Sequence, residues 1–118
     1  MPNAALLILA GTETKADLGR VVNALQIARE FDEADEEVTV IFDGAGTQWI
    51  PVLSDEDHKY HRLYDQVSGV VEGACSYCAG AYGVKDQIEE TGVDLLDEFG
   101  GHPSIRKLMS NGYDVITF

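Results

Sequence analysis

Short apolar segments alternate with helical patterns along this chain, and that alternation limits the possible fold more than any other feature. Residues 4–10 form a continuous apolar run, and residues 38–42 form a second run rich in β-branched side chains. Between them, the apolar positions from residue 18 to residue 28 repeat at helical spacing. Continuous apolar runs are typical of strands buried on both faces of a parallel sheet. The first part of the chain therefore predicts a strand, a helix and a second strand.

The same alternation continues to the end of the sequence. It predicts strands over residues 70–74, 93–96 and 113–118, and helices over 15–31, 58–67, 79–91 and from Pro103 to just before Gly112. Five strands that alternate with four helices predict a mostly parallel sheet with helices on both faces, an α/β fold of the flavodoxin-like type. A chain of 118 residues with 45% hydrophobic content has room for one core, so residues 1–118 are predicted to form a single domain.

The chain is strongly acidic, with 21 Asp and Glu residues against 8 Lys and Arg residues and a formal net charge of −13. Nucleic acids and anionic membranes are bound mainly through clustered basic side chains, so neither is expected as a partner. Repulsion among so many carboxylates is weakest where salt screens it, which favours a halophilic source such as a halophilic archaeon. The sequence has no apolar run long enough to cross a bilayer and no basic region ahead of its first apolar stretch. We therefore expect a cytoplasmic protein.

Cys75 and Cys78 are the only cysteines, and they form a C-x-x-C pair where the third predicted strand gives way to a helical pattern. In proteins with parallel sheets, reactive side chains usually lie at the carboxyl ends of the strands. A thiolate at a helix N-terminus is stabilised by free backbone N–H groups, which predicts a pKa lowered toward neutrality. Because cytosolic cysteines are more often reactive or metal-binding than structural, we expect Cys75 and Cys78 to carry the chemistry.

Other segments are predicted to meet the cysteines at this edge of the sheet. Gly11, Thr12, Asp43, Gly44 and Tyr77 are expected to line a pocket there. The Asp43 carboxylate could orient a partner or cap the glycine-rich turn that follows it, and capping is the favoured interpretation. The turn from residue 11 to residue 14 is similar to the hydroxyl-rich phosphate loop of flavodoxins, so a flavin-binding module is one alternative function.

A metal site is a second alternative. His58 and His61 precede the cysteine pair, and two imidazoles with Cys75 and Cys78 make an acceptable tetrahedral zinc set. This alternative predicts a zinc-binding or thiol-redox regulatory module.

An apolar block follows the second predicted strand. It contains Trp49, Ile50 and Leu53, and a contiguous apolar patch on a surface usually marks an interface. We expect these side chains to form a contact between identical subunits. The alternative is that the block folds back onto its own sheet.

The sequence resembles the DsrE/DsrF-like proteins, a family of small sulfur-relay proteins, over nearly its whole length. The resemblance rests on Cys75 followed by seven residues and then Gly83-Val84, on the turns at residues 10–12 and 42–44, and on the ending at residues 112–116. It implies a flavodoxin-like sheet, assembly as a homotrimer or homohexamer, and sulfurtransferase-like sulfur relay between a protein donor and a protein acceptor, with a persulfide on Cys75. No cofactor is expected. Cys78 lies outside the family pattern and is predicted to act as a resolving thiol, releasing sulfide from the persulfide by forming a disulfide.

Overall fold

The computed structural model describes residues 2–118, which form a five-stranded parallel sheet with helices. In chain order the strands are β1 (Asn3–Ile8), β2 (Glu37–Phe42), β3 (Val71–Cys75), β4 (Leu95–Leu96) and β5 (Asp114–Thr117). They lie side by side in the order β4, β3, β2, β1, β5, and every neighbouring pair is parallel. The predicted fold class is confirmed.

In the described part of the chain, six α-helices connect the strands: α1 (Lys15–Glu33), α2 (Trp49–Ser54), α3 (His61–Gln66), α4 (Ser76–Ala81), α5 (Lys85–Thr91) and α6 (Ile105–Ser110). The single helix predicted over residues 79–91 is in fact two helices, because Gly83 adopts a φ of 71° between them and interrupts the helical backbone. Within residues 2–118, no helix has both the length and the apolar character needed to cross a membrane.

The main core lies on one face of the sheet. Leu6 of β1 and Phe42 of β2 are fully buried there against Val21 and Leu25 of α1. On the opposite face, Ile41 lines a cavity of about 200 Å³ together with side chains that include Leu108 of α6. Helices therefore cover both faces, with most of the apolar packing on the α1 side.

The apolar block after β2 belongs to this core, which corrects the expectation of an exposed interface. Trp49, Ile50 and Leu53 lie in α2 with exposed fractions of 4%, 0% and 0%. The indole Nε1 of Trp49 also donates hydrogen bonds to the backbone oxygens of Ala10 and Gly11, each at 2.9 Å. The alternative, that the block folds back onto its own sheet, is what the structure shows: residues 49–54 form one short helix whose apolar side packs into the core.

Candidate functional site

The backbone around β3 determines where the cysteines lie. The pairing of β2 with β3 shifts by one residue, since Val40 lies opposite Val71 whereas Ile41 lies opposite Gly73. Such a bulge changes the direction of the side chains that follow it. Gly73 also allows β4 to approach closely, because a Cβ at this position would overlap the backbone oxygen of Asp94. As a result β3 ends at Cys75 with β4 packed directly beside it.

Beyond β4 the chain folds back over Cys75 in a tight turn, Phe99-Gly100-Gly101-His102, which we call the 99–102 turn. The backbone N–H of Phe99 donates to His102 O at 2.8 Å, and that of His102 donates to Phe99 O at 2.9 Å. Gly100 and Gly101 have φ angles of 59° and 88°, which two-residue turns of this type require and which other residues rarely adopt. The backbone N–H of Tyr77 donates to Gly101 O at 2.9 Å. This bond ties the turn to the start of α4.

The Cys75 sulfur is the centre of the resulting contacts. Its Sγ lies 3.2 Å from Nδ1 of His102 and accepts a hydrogen bond from the backbone N–H of Cys78 at 3.4 Å. It also lies 3.8 Å from the backbone oxygen of Gly101, to which the thiol can donate. The Tyr77 ring packs against the imidazole, with the two ring centroids 5.0 Å apart. Cys75 is fully buried and Cys78 is half-buried, and neither forms a disulfide.

Asp43 completes the group from the end of β2. Its Oδ1 accepts a hydrogen bond from the backbone N–H of Gly44 at 2.8 Å, so the carboxylate does cap the following turn, as favoured from the sequence. It also faces the cysteines: the donor atoms of Asp43, Cys75, Cys78 and His102 all lie within 4.8 Å of one another. We call these four side chains the four-residue cluster. It draws on three segments that are distant in the sequence.

The environment of Cys75 favours its neutral thiol. The pKa of Cys75 is raised to about 12, mainly because burial removes the sulfur from water; the hydrogen bond from the Cys78 backbone N–H lowers the pKa, and the negative charge of Asp43 contributes to raising it. The expectation of a lowered pKa is therefore wrong. That expectation relied on a helix N-terminus to stabilise the thiolate, but α4 has only six residues. Removal of the sulfur from water raises the pKa more than the backbone hydrogen bond to the sulfur lowers it. The nearby imidazole of His102 can take up the thiol proton when the sulfur reacts.

The predicted pocket residues are only partly brought together. Asp43 is in the four-residue cluster, Gly44 is bonded to it, and Tyr77 packs on His102. Gly11 lies beside the 3₁₀ turn Gly44–Gln48 and accepts from the Trp49 indole, and Thr12 is exposed on the turn before α1.

The start of α1 is organised as an ordinary helix cap. The Thr14 side chain accepts from the backbone N–H of Asp17 at 3.1 Å, which uses one of the N–H groups that a phosphate would need. The carboxylate of Asp17 also lies in this first turn, where it would repel an anion.

The histidines of the predicted zinc set lie away from the cysteines. His61 Nδ1 is 2.8 Å from the backbone oxygen of Leu53, and His58 Nδ1 accepts from the backbone N–H of Tyr60 at 3.1 Å. Within residues 2–118, the group of potential metal ligands that contains the cysteines includes neither of them. The histidine that does reach Cys75 is His102, which is not among the residues predicted from the sequence. The Gly100-Gly101 pair was a usable signal for a tight turn, but no local pattern connects that turn to Cys75.

Comparisons with known proteins agree with this fold. A conserved protein of unknown function from Bacteroides thetaiotaomicron has a similar structure, with a TM-score of 0.64 over 97% of this chain and 94% of that chain. The two sequences are 16% identical, so the likeness concerns the fold alone. A comparison with curated proteins gave no match. The DsrE/DsrF-like family model matches residues 5–118, nearly the whole sequence. The chain therefore belongs to the DsrE/DsrF-like family.

Proposed function

We propose that this protein is a sulfur carrier that holds a sulfane sulfur as a persulfide on Cys75 and passes it to a protein acceptor. The observation that carries the proposal is the contact between Cys75 Sγ and His102 Nδ1 at 3.2 Å, at the carboxyl end of a parallel strand. Membership of a family associated with sulfur relay supports the same assignment.

His102 gives the buried thiol a route to ionisation. With its pKa raised by burial, Cys75 carries a proton that must leave before the sulfur can attack. A neutral imidazole at hydrogen-bond distance can accept that proton during the attack, as general bases do for other nucleophiles. The 99–102 turn holds the imidazole in place through its backbone hydrogen bonds and through the Tyr77 ring.

In the loading step, the outer sulfur of a donor persulfide moves from the donor thiol to the Cys75 thiol. The Cys75 sulfur attacks the outer sulfur of a donor persulfide, R–S–SH, so that Cys75–S–SH forms and the donor leaves as R–SH. The proton from Cys75 passes by way of His102 to the departing thiolate. The persulfide then transfers its outer sulfur to an acceptor thiol by the same exchange, which restores Cys75–SH.

Cys78 offers a second outcome for the persulfide. Its sulfur lies within 4.8 Å of the Cys75 sulfur, against about 2.05 Å in a disulfide, so modest side-chain rotation brings the two together. Attack of Cys78 on the inner sulfur forms the Cys75–Cys78 disulfide and releases hydrogen sulfide. A thiol reductant then has to restore the dithiol.

The experiment uses inorganic polysulfide as donor and intact mass as readout. We expect reduced wild-type protein to gain one sulfur, Cys75→Ser to gain none, and Cys78→Ser to keep the added sulfur longer because the disulfide cannot form. His102→Asn is expected to load more slowly, whereas His58→Asn, which changes a histidine outside the cluster, is expected to load at the wild-type rate. Absence of an adduct in the wild type, or an adduct that survives in Cys75→Ser, would contradict the proposal.

A further inference from the structure

The four-residue cluster contains more metal-ligand chemistry than a sulfur carrier requires. Two thiols, one imidazole and one carboxylate place their donor atoms within 4.8 Å of one another, and three of these side chains are half-buried while Cys75 is fully buried. We propose that Asp43, Cys75, Cys78 and His102 form a binding site for one Zn²⁺ ion. The histidine of this site differs from both histidines that the sequence suggested.

The distances fit a tetrahedral ion after a small contraction. Zinc binds sulfur at about 2.3 Å, imidazole nitrogen at about 2.0 Å and carboxylate oxygen at about 2.1 Å, which places neighbouring donor atoms about 3.3 to 3.8 Å apart. Cys75 Sγ and His102 Nδ1 are already 3.2 Å apart. The remaining donor atoms, no more than 4.8 Å apart, have to close by about 1.5 Å at most. Cys78 is half-buried and can rotate without disturbing the core.

The backbone around the site already provides hydrogen bonds that support metal ligands. The backbone N–H of Cys78 points at the Cys75 sulfur, an arrangement that stabilises a thiolate once a metal has displaced its proton. Asp43 uses Oδ1 for its bond to Gly44, which fixes the orientation of the carboxylate relative to the cluster. Both hydrogen bonds are therefore in place before a metal ion binds.

Charge also favours a cation at this place. On binding a metal, both thiols become thiolates, and together with the Asp43 carboxylate they bring three negative charges to a partly buried site. Asp43 takes part in none of the three salt bridges found within residues 2–118, which join Arg20 to Asp17, Arg29 to Glu33 and Lys107 to Glu98. No basic side chain within the described residues forms a salt bridge with Asp43, so a divalent cation would compensate its charge. Thiolate and imidazole donors in a tetrahedral arrangement select zinc over magnesium or calcium.

Zinc and a persulfide would compete for the same sulfur. A Cys75 thiolate bound to zinc cannot attack a donor, so the zinc-bound form would be a resting state of the protein that does not load sulfur. This consequence rests on the proposed function, whereas the metal site itself does not.

The test is a titration of reduced, metal-free protein with Co²⁺, which reports a tetrahedral thiolate site through its visible bands and its sulfur-to-metal charge-transfer absorption. We expect one Co²⁺ per chain, displaced by Zn²⁺. Cys78→Ser and His102→Asn are expected to weaken binding about tenfold or more, and His58→Asn and Asp55→Asn are matched controls that should bind as the wild type does. Circular dichroism checks that each variant is folded. The test does not require Cys75→Ser, which changes a fully buried residue, because Cys78→Ser and His102→Asn each remove one proposed ligand.

Two results would overturn the metal site: a wild-type titration without thiolate charge-transfer absorption, and equal binding by wild type and His102→Asn. No sulfur donor is present in this experiment. A protein that loads polysulfide but gives no cobalt spectrum would therefore remain a sulfur carrier without a zinc site, and the opposite pair of results would remove the carrier function and keep the metal site.

Discussion

The Cys75 side chain combines a reactive position with an unreactive ground state. Burial raises its pKa to about 12, so the thiolate is a very small fraction of the sulfur at neutral pH. We expect the alkylation rate of Cys75 by iodoacetamide to rise about tenfold per pH unit from about pH 7 to about pH 10, since the thiolate fraction rises by that factor below the pKa. The measurement uses the Cys78→Ser variant with a chelator present, and peptide mass mapping follows the labelled site. The same reagent on the unfolded chain is the control, where the rate should level off above a pKa of about 8.5. A levelling below about pH 9 in the folded protein would contradict the raised pKa.

The 99–102 turn is the element that covers this sulfur. Gly101 has a φ of 88°, and its oxygen accepts from the Tyr77 backbone N–H, so the turn depends on a conformation that alanine adopts at a cost of about 1 kcal/mol or more. We expect Gly101→Ala to loosen the turn and to raise the alkylation rate of Cys75 several-fold at fixed pH. Gly92→Ala is the matched control, because Gly92 also has a positive φ, 82°, but ends α5 with open space where an added Cβ would lie. Equal effects of the two substitutions would mean that the turn does not limit access to Cys75.

Helix α2 gives a second test at the same scale. Leu53 is fully buried in the core, whereas Val52, its neighbour in the same helix, is 36% exposed. We expect Leu53→Ala to lower the free energy of unfolding by about 2–5 kcal/mol, the range for buried leucines, and Val52→Ala to change it far less. Chemical denaturation followed by circular dichroism measures both. If Leu53→Ala changed the subunit mass and left stability unaltered, α2 would be an interface after all.

At the scale of the whole molecule, charge is the dominant property. The formal net charge is −13, and the three salt bridges found within residues 2–118 are all at least partly exposed and so contribute little stability. We expect the thermal midpoint to rise as potassium chloride increases from millimolar to molar concentration, because salt screens the repulsion among carboxylates. The double variant Glu89→Gln with Glu90→Gln removes two exposed charges from α5, and its midpoint should depend less on salt. A flat or falling midpoint in the wild type would contradict this account and weaken the case for a halophilic source.

Assembly into a trimer or hexamer stays a prediction. The side chains first assigned to the contact are in the core, so an interface would have to use other apolar groups, among which Phe99 is 77% exposed and Met109 is 63% exposed. Light scattering of the wild-type protein at high salt reports the subunit number directly.

Much of the fold could be predicted from the sequence because the relevant signals are local. A buried parallel strand appears as a continuous apolar run, and an amphipathic helix appears as apolar positions one turn apart, so neighbouring residues are enough to place β1, α1 and β2. The same locality places Cys75 at the end of β3, Cys78 in the first turn of α4, and Asp43 directly after β2. The misassigned block at α2 shows the limit, since a short apolar segment has the same composition whether it covers its own core or a partner.

The chemistry of the site was decided by tertiary structure. His102 lies 27 residues from Cys75 in the sequence, and the two meet only because Gly73 lets β4 pack closely and the 99–102 turn then reverses the chain. The pKa of Cys75 depends on how much water the fold removes from its sulfur and on the Asp43 charge beside it, neither of which appears in the residues next to it in the sequence. The sequence by itself therefore determined the sheet and the position of the reactive cysteines, whereas only packing between distant segments decided which groups touch the sulfur and whether it rests as a thiol.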